Sequence, residues 1–335
     1  MRNKSLDAAK AVAACLVVFI HVSFPGQPGQ IIKVFARCAV PFFFMISGYF
    51  CYYEKKNAAD KIPAKILHIL KLFTAAVFFY VVWESLMKLV TGKNLLLWIK
   101  ELTDIENLKG FLIYNSTSPV RAHLWFLPAL IYCYMVDFFI EKWKLRRISY
   151  LGIPVLLLML LWRAEFCRIS GRFYHTMEYR NFLFTGMSFY LTGKMLHEYQ
   201  GKVMQRKPEE VMLFVAAVTG VVVSVFEYCV MGAGEIYAGN VLTIVCLFIW
   251  LILYGKNRKF LPVMEEVGRK YAFPVYLIHP AVADTMKILS DYLRISSNSF
   301  YQWIRPLLVY MITLFLIKGV SECFAETVHR KRNVV

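Results

Sequence analysis

The sequence lacks the short motifs that mark the common soluble enzyme classes. It contains no P-loop, no G-x-S-x-G nucleophile elbow, no H-E-x-x-H zinc motif and no dinucleotide fingerprint. It also has little charge, since Asp, Glu, Lys and Arg make up 18% of its 335 residues, against about 25% in an average soluble domain. These absences weigh against a soluble nucleotide-, metal- or serine-dependent enzyme.

Cysteine is present but lacks the spacing of a metal site. Several of the eight cysteines lie inside apolar runs, where the residue acts as a small buried hydrophobe; these are Cys15, Cys133, Cys229 and Cys246. We therefore expect no disulfide framework and no bound metal. No small-residue cleavage site follows the first apolar run, so no cleavable signal peptide is evident.

Long apolar runs dominate what is present. Apolar residues make up 59% of the chain and aromatic residues 16%, and several runs reach the roughly 20 residues that a membrane span needs. We predict an all-α, polytopic membrane helix bundle of about ten transmembrane helices, forming one domain over residues 1–335 in the cell membrane. The predicted spans are 6–25, 31–52, 65–90, 122–141, 148–163, 181–198, 210–230, 239–255, 271–289 and 304–325.

The net charge of +17 fits a membrane protein better than a nucleic-acid-binding one. The basic residues cluster in short loops beside the apolar runs, as the positive-inside rule predicts for cytoplasmic loops. With both termini in the cytoplasm, the inner loops carry the clusters near 55–61, 142–147, 202–207 and 256–259. We expect this chain to be surrounded by the lipid bilayer and not to bind nucleic acid.

Two segments depart from a simple bundle. The stretch from Asn94 to Ile105 is amphipathic and is expected to lie along the membrane surface as a helix. One predicted outer loop carries basic residues against the rule, namely Arg163, Arg168, Arg172 and Arg180. They are there either for a ligand or for pairing with Glu165 and Glu178.

Charged and histidine residues at membrane depth are candidate functional residues, because each charge costs about 2.5–3.5 kcal/mol on insertion scales. Lys10 and His21 share the first span. Their eleven-residue spacing turns a helix about 20° past three full turns and rises about 16 Å, so both side chains lie on one face. The alternative interpretations are structural: the Lys10 ammonium group extends to the lipid headgroups, and His21 is a polar residue at the membrane interface.

Three further segments combine polar groups with helix-breaking residues. The second span contains Pro41, Ser47 and Gly48, which favour close helix packing or carbonyls freed toward a cavity. The fourth opens with His123, Trp125 and Pro128. The ninth contains Tyr276 and His279, which share a face and are expected to form a hydrogen-bonded pair. Glu84 and Glu227 lie near outer ends, where structural pairing is the safer interpretation.

Taken together, these segments resemble the acyltransferase-3 family of membrane proteins. The resemblance rests on the Leu6-Asp7 opening with Lys10 and His21, and on four later stretches: Pro41 to Tyr49, His123 to Pro128, Arg180 to Phe182, and Tyr276 to Pro280. Within the family, the chain looks most like the membrane domain of the serine racemases of vancomycin-resistance operons. In those proteins a soluble racemase domain follows, whereas the printed chain ends soon after the tenth predicted span.

Two positions depart from the family pattern. The family often has Arg where this chain has Lys10, which keeps the charge but loses bidentate binding. Many polysaccharide O-acetyltransferases of the family have Glu where this chain has Leu130, so polysaccharide O-acetylation is less secure here.

The resemblance implies an enzyme that transfers an acyl group, usually acetyl from acetyl-CoA, to a hydroxyl or amine of a small polar molecule or a glycan. His21 is the candidate general base, Lys10 would neutralise donor phosphates or the oxyanion, and His279 would orient or replace His21. Lys65 and Lys71 are candidates for holding coenzyme A. Substrate contacts are assigned to His123, Trp125, Tyr276 and Ser47, and a homodimer is compatible with this class.

The alternative is uptake or binding of a small polar amino acid such as L-serine, as in the racemase-linked relatives. A zwitterion needs both a cation and an anion at depth, which Arg180 with Glu84 or Glu227 would supply. A purely structural membrane module is the third interpretation, and the number of charged and histidine positions at depth disfavours it.

The charge bias predicts that both termini and the 202–207 loop are cytoplasmic and that the 231–238 loop is external. Single cysteines introduced at these places should therefore react with a membrane-impermeant reagent in intact cells only in the 231–238 loop. Labelling of the 202–207 loop instead would reverse the predicted orientation.

Overall fold

The structure is a computed structural model that describes residues 3–54, 58–170, 180–206, 208–255 and 258–332. These residues form fifteen α-helices, and no strand occurs among them. The helices are α1 (Lys4–His21), α2 (Gly26–Ala36), α3 (Ala39–Tyr49), α4 (Ile62–Val90), α5 (Leu95–Leu102), α6 (Ile105–Tyr114), α7 (Phe126–Lys142), α8 (Arg146–Ile169), α9 (Ser188–Glu198), α10 (Gln200–Arg206), α11 (Glu210–Met231), α12 (Ala238–Leu253), α13 (Pro262–Glu266), α14 (Ala272–Tyr292) and α15 (Ser299–Arg332). The predicted all-α membrane helix bundle is confirmed.

Each of the ten predicted spans coincides with helical structure. Within the described residues, six helical stretches are long and apolar enough to cross a membrane, and Ala238–Leu253 is a shorter apolar helix. The six are Gly26–Tyr49, Ala58–Val90, Ala122–Lys142, Arg146–Phe166, Glu210–Met231 and Ser299–Cys323. The other three predicted spans, at 6–25, 181–198 and 271–289, lie largely on α1, α9 and α14, which are not among these helices, so the count of ten stays a prediction.

The predicted span at 31–52 coincides largely with the single candidate span Gly26–Tyr49, in which the chain forms two consecutive helices. Helix α2 ends at Ala36 and α3 begins at Ala39, with Arg37 and Cys38 between them. Pro41 lies in the first turn of α3, where backbone N–H groups have no partner within the helix and a proline costs little. The break places the Arg37 side chain at the junction.

The amphipathic segment is helical, as expected, and comprises α5 and α6. Asn94 caps α5 by accepting a hydrogen bond from the Leu97 backbone N–H at 3.1 Å. Trp98 is buried and donates to the Pro119 carbonyl, whereas Leu96 and Leu97 are exposed. A row of exposed apolar side chains of this kind is typical of a helix on a membrane surface.

Close packing of α3 against α9 depends on two glycines. A Cβ atom at Gly48 would lie 1.8 Å from the Tyr190 carbonyl oxygen, and one at Gly193 would lie 1.9 Å from that of Met45. Only glycine allows the backbones of two helices to approach this closely. Gly48 therefore has the packing role that the sequence indicated.

A buried ionic cluster ties α9 to α7. The Lys194 ammonium group, fully enclosed, donates to both Asp137 and Glu141, with 2.6 Å to Glu141. The Tyr190 hydroxyl donates to Asp137 at 2.7 Å, and Arg146 at the start of α8 pairs with Glu141. Charges inside a membrane bundle are tolerated when they are paired in this way.

Replacing Gly193 with Ala is expected to lower the thermal unfolding midpoint in detergent, because the new methyl group would force α3 and α9 apart. Overpacking of this kind costs about 1–3 kcal/mol, and occasionally more. Gly152→Ala on α8 is the control, since a Cβ atom there meets nothing within 4 Å. Fluorescence-detected size-exclusion after heating would compare them, and equal midpoints would contradict the close backbone contact.

Candidate functional site

Three histidines from distant parts of the chain meet in the bundle. His21 is the last residue of α1, His123 lies in the 3₁₀ turn Ala122–Trp125 before α7, and His279 lies within α14. The ring centroids are 5.2 Å apart for His21 and His279, 5.7 Å for His123 and His279, and 6.1 Å for His21 and His123. His123 and His279 are buried, whereas His21 is exposed at the edge of the cluster.

Backbone carbonyls determine the tautomers of the two buried rings. His279 Nδ1 lies 3.0 Å from the Val275 carbonyl oxygen, and His123 Nε2 lies 3.3 Å from that of Leu277. A carbonyl oxygen can only accept, so these nitrogens carry the protons when the rings are neutral. The other two nitrogens, His279 Nε2 and His123 Nδ1, are buried lone pairs with no hydrogen-bond partner in the structure.

Two tyrosines support the cluster. The Tyr276 hydroxyl donates to the His123 carbonyl oxygen at 2.5 Å, and the Tyr80 hydroxyl donates to the Leu277 carbonyl oxygen at 2.6 Å. The expected hydrogen bond between Tyr276 and His279 is therefore wrong. Tyr276 and His279 share a face of α14, but the Tyr276 hydroxyl extends across to the turn before α7 and donates its hydrogen bond there.

A small charged pocket opens beside His21. We call it the arginine pocket and define it by His21, Arg37, Trp125, Arg180 and Glu235; it encloses about 50 Å³. Arg37 Nη1 lies 2.5 Å from Glu235 Oε2, and the Arg180 guanidinium lies 5.7 Å from the centroid of the Trp125 ring. The predicted substrate-binding residues Trp125 and Arg180 thus adjoin the predicted base.

A second charged group lies on the other side of His123. Arg121 pairs with Glu84 at 2.8 Å and with Asp284, and its guanidinium lies 5.5 Å from the centroid of the Tyr80 ring. These side chains border a polar cavity of about 360 Å³ that also reaches Lys88, Lys93, Lys287 and Asp291. Glu84 is therefore ion-paired, and its partner is Arg121 rather than Arg180.

Lys10 lies near the opposite end of α1 from the histidines. Its ammonium group pairs with Asp7 at 3.1 Å and lies 5.5 Å from the Phe50 ring centroid. Lys65 approaches the same place, since its ammonium group donates to the Phe50 carbonyl oxygen at 2.8 Å. We call this end, with Lys10, Phe50 and Lys65, the lysine end; Lys71 is exposed on α4 and has no contact there.

The remaining predicted residues serve local structure. The Ser47 hydroxyl donates to the Phe43 carbonyl oxygen of its own helix at 2.8 Å. The Glu227 carboxylate accepts from the backbone N–H groups of Ala238 and Gly239 and so caps α12. Arg163 lies over the Phe184 ring. Arg172 and Glu178 lie outside the described residues, as do parts of the basic loops at 55–57, 207 and 256–257.

Sequence reasoning missed Arg37, Arg121, Glu235 and Asp284. Arg121 and Asp284 carried a usable signal, since each is a charge within a few residues of a predicted site histidine. Arg37 falls inside the predicted second span and carried the same signal. Across the described residues, no group of three or more His, Cys, Asp or Glu side chains has an arrangement that could hold a metal ion.

Comparisons with known proteins point to one family. A family model described as an acyltransferase domain matches residues 3–321. The serine/alanine racemase of Enterococcus gallinarum is 31% identical over 142 residues, which cover 39% of this chain and 18% of the racemase. The amino-acid racemase of Enterococcus faecalis is 24% identical over 273 residues, covering 76% of this chain and 36% of the racemase.

The chain thus spans only a minor part of the length of these two curated relatives. No solved structure matches it significantly.

Removing the charge of Arg121 is expected to destabilise the bundle, because Glu84 and Asp284 would lose the cation that both of them pair with. Arg121→Gln should cost roughly 2–3 kcal/mol, less than the ~3–5 kcal/mol of a fully buried pair because all three side chains keep some solvent contact. Adding Glu84→Gln should recover part of the loss. Thermal unfolding in detergent would measure both, with Lys109→Gln in the exposed pair with Glu106 as control; an unaltered Arg121 variant would contradict the argument.

Proposed function

The chain belongs to the acyltransferase-3 family of membrane proteins, and from this premise we propose that it moves an acyl group, specifically acetyl, from acyl-CoA to a hydroxyl or amine. The observation that carries the proposal is the histidine cluster. It combines an exposed imidazole, His21, with two buried imidazole lone pairs that have no hydrogen-bond partner among the described residues. Unused acceptors next to an accessible base are what a proton-abstracting site needs.

The chemistry follows from a neutral His21. Its free nitrogen takes the proton of the acceptor hydroxyl or amine while the oxygen or nitrogen attacks the thioester carbonyl. The carbon–sulfur bond breaks, and the coenzyme A thiolate leaves with the proton that His21 has taken. His279, whose ring centroid is 5.2 Å from that of His21, would orient the His21 ring or take the proton in its place.

The donor would enter at the lysine end. Lys10 and Lys65 both approach Phe50 there, and ammonium groups suit the phosphates of coenzyme A. About 16 Å of helix separate Lys10 from His21, so Lys10 acts on donor phosphates and not on an oxyanion formed near His21. The thioester arm of the donor would then run through the bundle toward the histidines. Lys71 has no part in this arrangement.

A second candidate function is binding or uptake of a small polar amino acid such as L-serine. The relatives that match are named as serine/alanine and amino-acid racemases, and the arginine pocket offers both cations and a carboxylate to a zwitterion. Glu84 and Glu227, predicted to supply the anion for a zwitterion beside Arg180, have other partners and are not in the lining of this pocket. Glu235 would take their place.

Acyl transfer predicts distinct effects at the two ends of α1. His21→Ala should lower turnover of labelled acetyl-CoA about 10²–10⁴-fold, the usual contribution of a general base. Lys10→Ala should raise the KM for acetyl-CoA with a smaller effect on kcat, and Lys10→Arg should restore it because the charge is kept. His68→Ala, an exposed histidine on α4, is the matched control. Near-normal turnover of the His21 variant would exclude it as the base.

A further inference from the structure

The described lining of the arginine pocket holds two guanidinium groups and one carboxylate. Arg37 uses Nη1 on Glu235, but its Nε is buried without a partner. Among the described residues, Arg180 has no carboxylate within ion-pair distance, and its recorded contact is the face of Trp125. The described lining therefore has one more cation than anion beside His21.

The charge of such a pocket indicates which chemical group would bind in it. Arginine is the side chain best suited to bind the oxygens of a carboxylate or phosphate, because its planar donors match them in pairs. The space of about 50 Å³ exceeds the roughly 10–15 Å³ that one water molecule needs by the same measure, so the pocket has room for one small oxyanion. The Arg180 guanidinium lies 5.7 Å from the centroid of the Trp125 ring, a cation–π contact that holds it beside the pocket.

His21 belongs to two neighbouring groups of unlike polarity. The histidine cluster supplies the unused acceptors His123 Nδ1 and His279 Nε2, and the arginine pocket supplies the unused donor Arg37 Nε and the Arg180 guanidinium. A ligand that satisfies both sides carries an anionic oxygen group at one end and a hydroxyl or amine at the other. Its hydroxyl or amine would then lie against the histidine that takes the proton.

We propose that the acyl acceptor carries a carboxylate or phosphate close to its reacting hydroxyl or amine, and that Arg37 and Arg180 bind this anion beside His21. This inference rests on the proposed acyl transfer and specifies its substrate class. Arg180 is the better residue with which to test anion binding, because Arg37 is already paired in part with Glu235.

The experiment compares three acceptors that differ in one group: glycerol, D-glycerate and glycerol 3-phosphate. Transfer from labelled acetyl-CoA would be measured with the purified full chain in nanodiscs of zwitterionic lipid. At least one anionic acceptor should exceed glycerol in kcat/KM by about 10-fold or more, the effect of charge-assisted hydrogen bonds. The preferred anion distinguishes a carboxylate acceptor from a phosphate acceptor.

Variants of Arg180 test the contribution of the arginine pocket separately from that of the rest of the site. Arg180→Gln should raise the KM for the anionic acceptor about 10- to 100-fold while the KM for glycerol stays within twofold. Arg180→Lys should lie between, and it serves as the readout if the Gln variant does not fold. Arg163→Gln is the matched control, since Arg163 contacts Phe184 and does not line the pocket.

Equilibrium binding of labelled D-glycerate and glycerol 3-phosphate separates this inference from the proposed function. Transfer without preference for either anion, or an equal loss for all acceptors in Arg180→Gln, would overturn the inference and leave acyl transfer standing. No transfer to any acceptor, with anion binding that Arg180→Gln abolishes, would overturn the transferase and support the anion site. Neither transfer nor Arg180-dependent binding would overturn both.

Discussion

The histidine cluster depends on carbonyl groups of α14 near a proline. Pro280 lacks an N–H group and so cannot donate to the Tyr276 carbonyl one turn earlier in α14. The next carbonyl, that of Leu277, accepts hydrogen bonds from outside the helix. The Tyr80 hydroxyl and His123 Nε2 both approach the Leu277 carbonyl, which joins α4, the turn before α7 and α14 at one atom.

This arrangement links packing to chemistry. Because His123 Nε2 and His279 Nδ1 are held by carbonyls, the lone pairs of both rings lie on their other nitrogens. The Tyr276 hydroxyl on the His123 carbonyl then fixes the turn itself. The hydrogen bonds of the two rings to carbonyls of α14 therefore leave two acceptor nitrogens unused, and a ligand can bind to them.

Local patterns in the sequence were sufficient for the fold class and for part of the site. Hydropathy located the spans, helical spacing placed Lys10 and His21 toward opposite ends of one helix, and the proline beside His279 marked a helix of unusual content. Each of these signals lies within about a dozen residues. The resemblance implied that His279 acts on His21, but the approach of His123 to both rings was not foreseen, because it depends on how α1, α7 and α14 pack.

Ion pairing was the least predictable feature. Lys194, Asp137 and Glu141 all fall within or at the ends of predicted spans, so their charge at depth was a visible signal, yet Lys194 lies 57 residues from Asp137 in the chain. Arg121 and Asp284 are separated by 163 residues. A single sequence contains no information on such partners, since charge patterning predicts only neighbours on one helix.

The two ends of the bundle bear differently on the choice between transfer and uptake. The arginine pocket suits an anionic acceptor and a zwitterionic cargo equally well, so this end of the bundle does not discriminate. The lysine end differs, because Lys65 has no carboxylate within ion-pair distance among the described residues and contacts the Phe50 carbonyl and Cys51 sulfur instead. A zwitterion in transit would offer such a cation a single carboxylate, whereas a phosphate-rich donor would offer it several anionic oxygens. This difference is the physical basis for proposing acyl-CoA, and with it acyl transfer, at the lysine end.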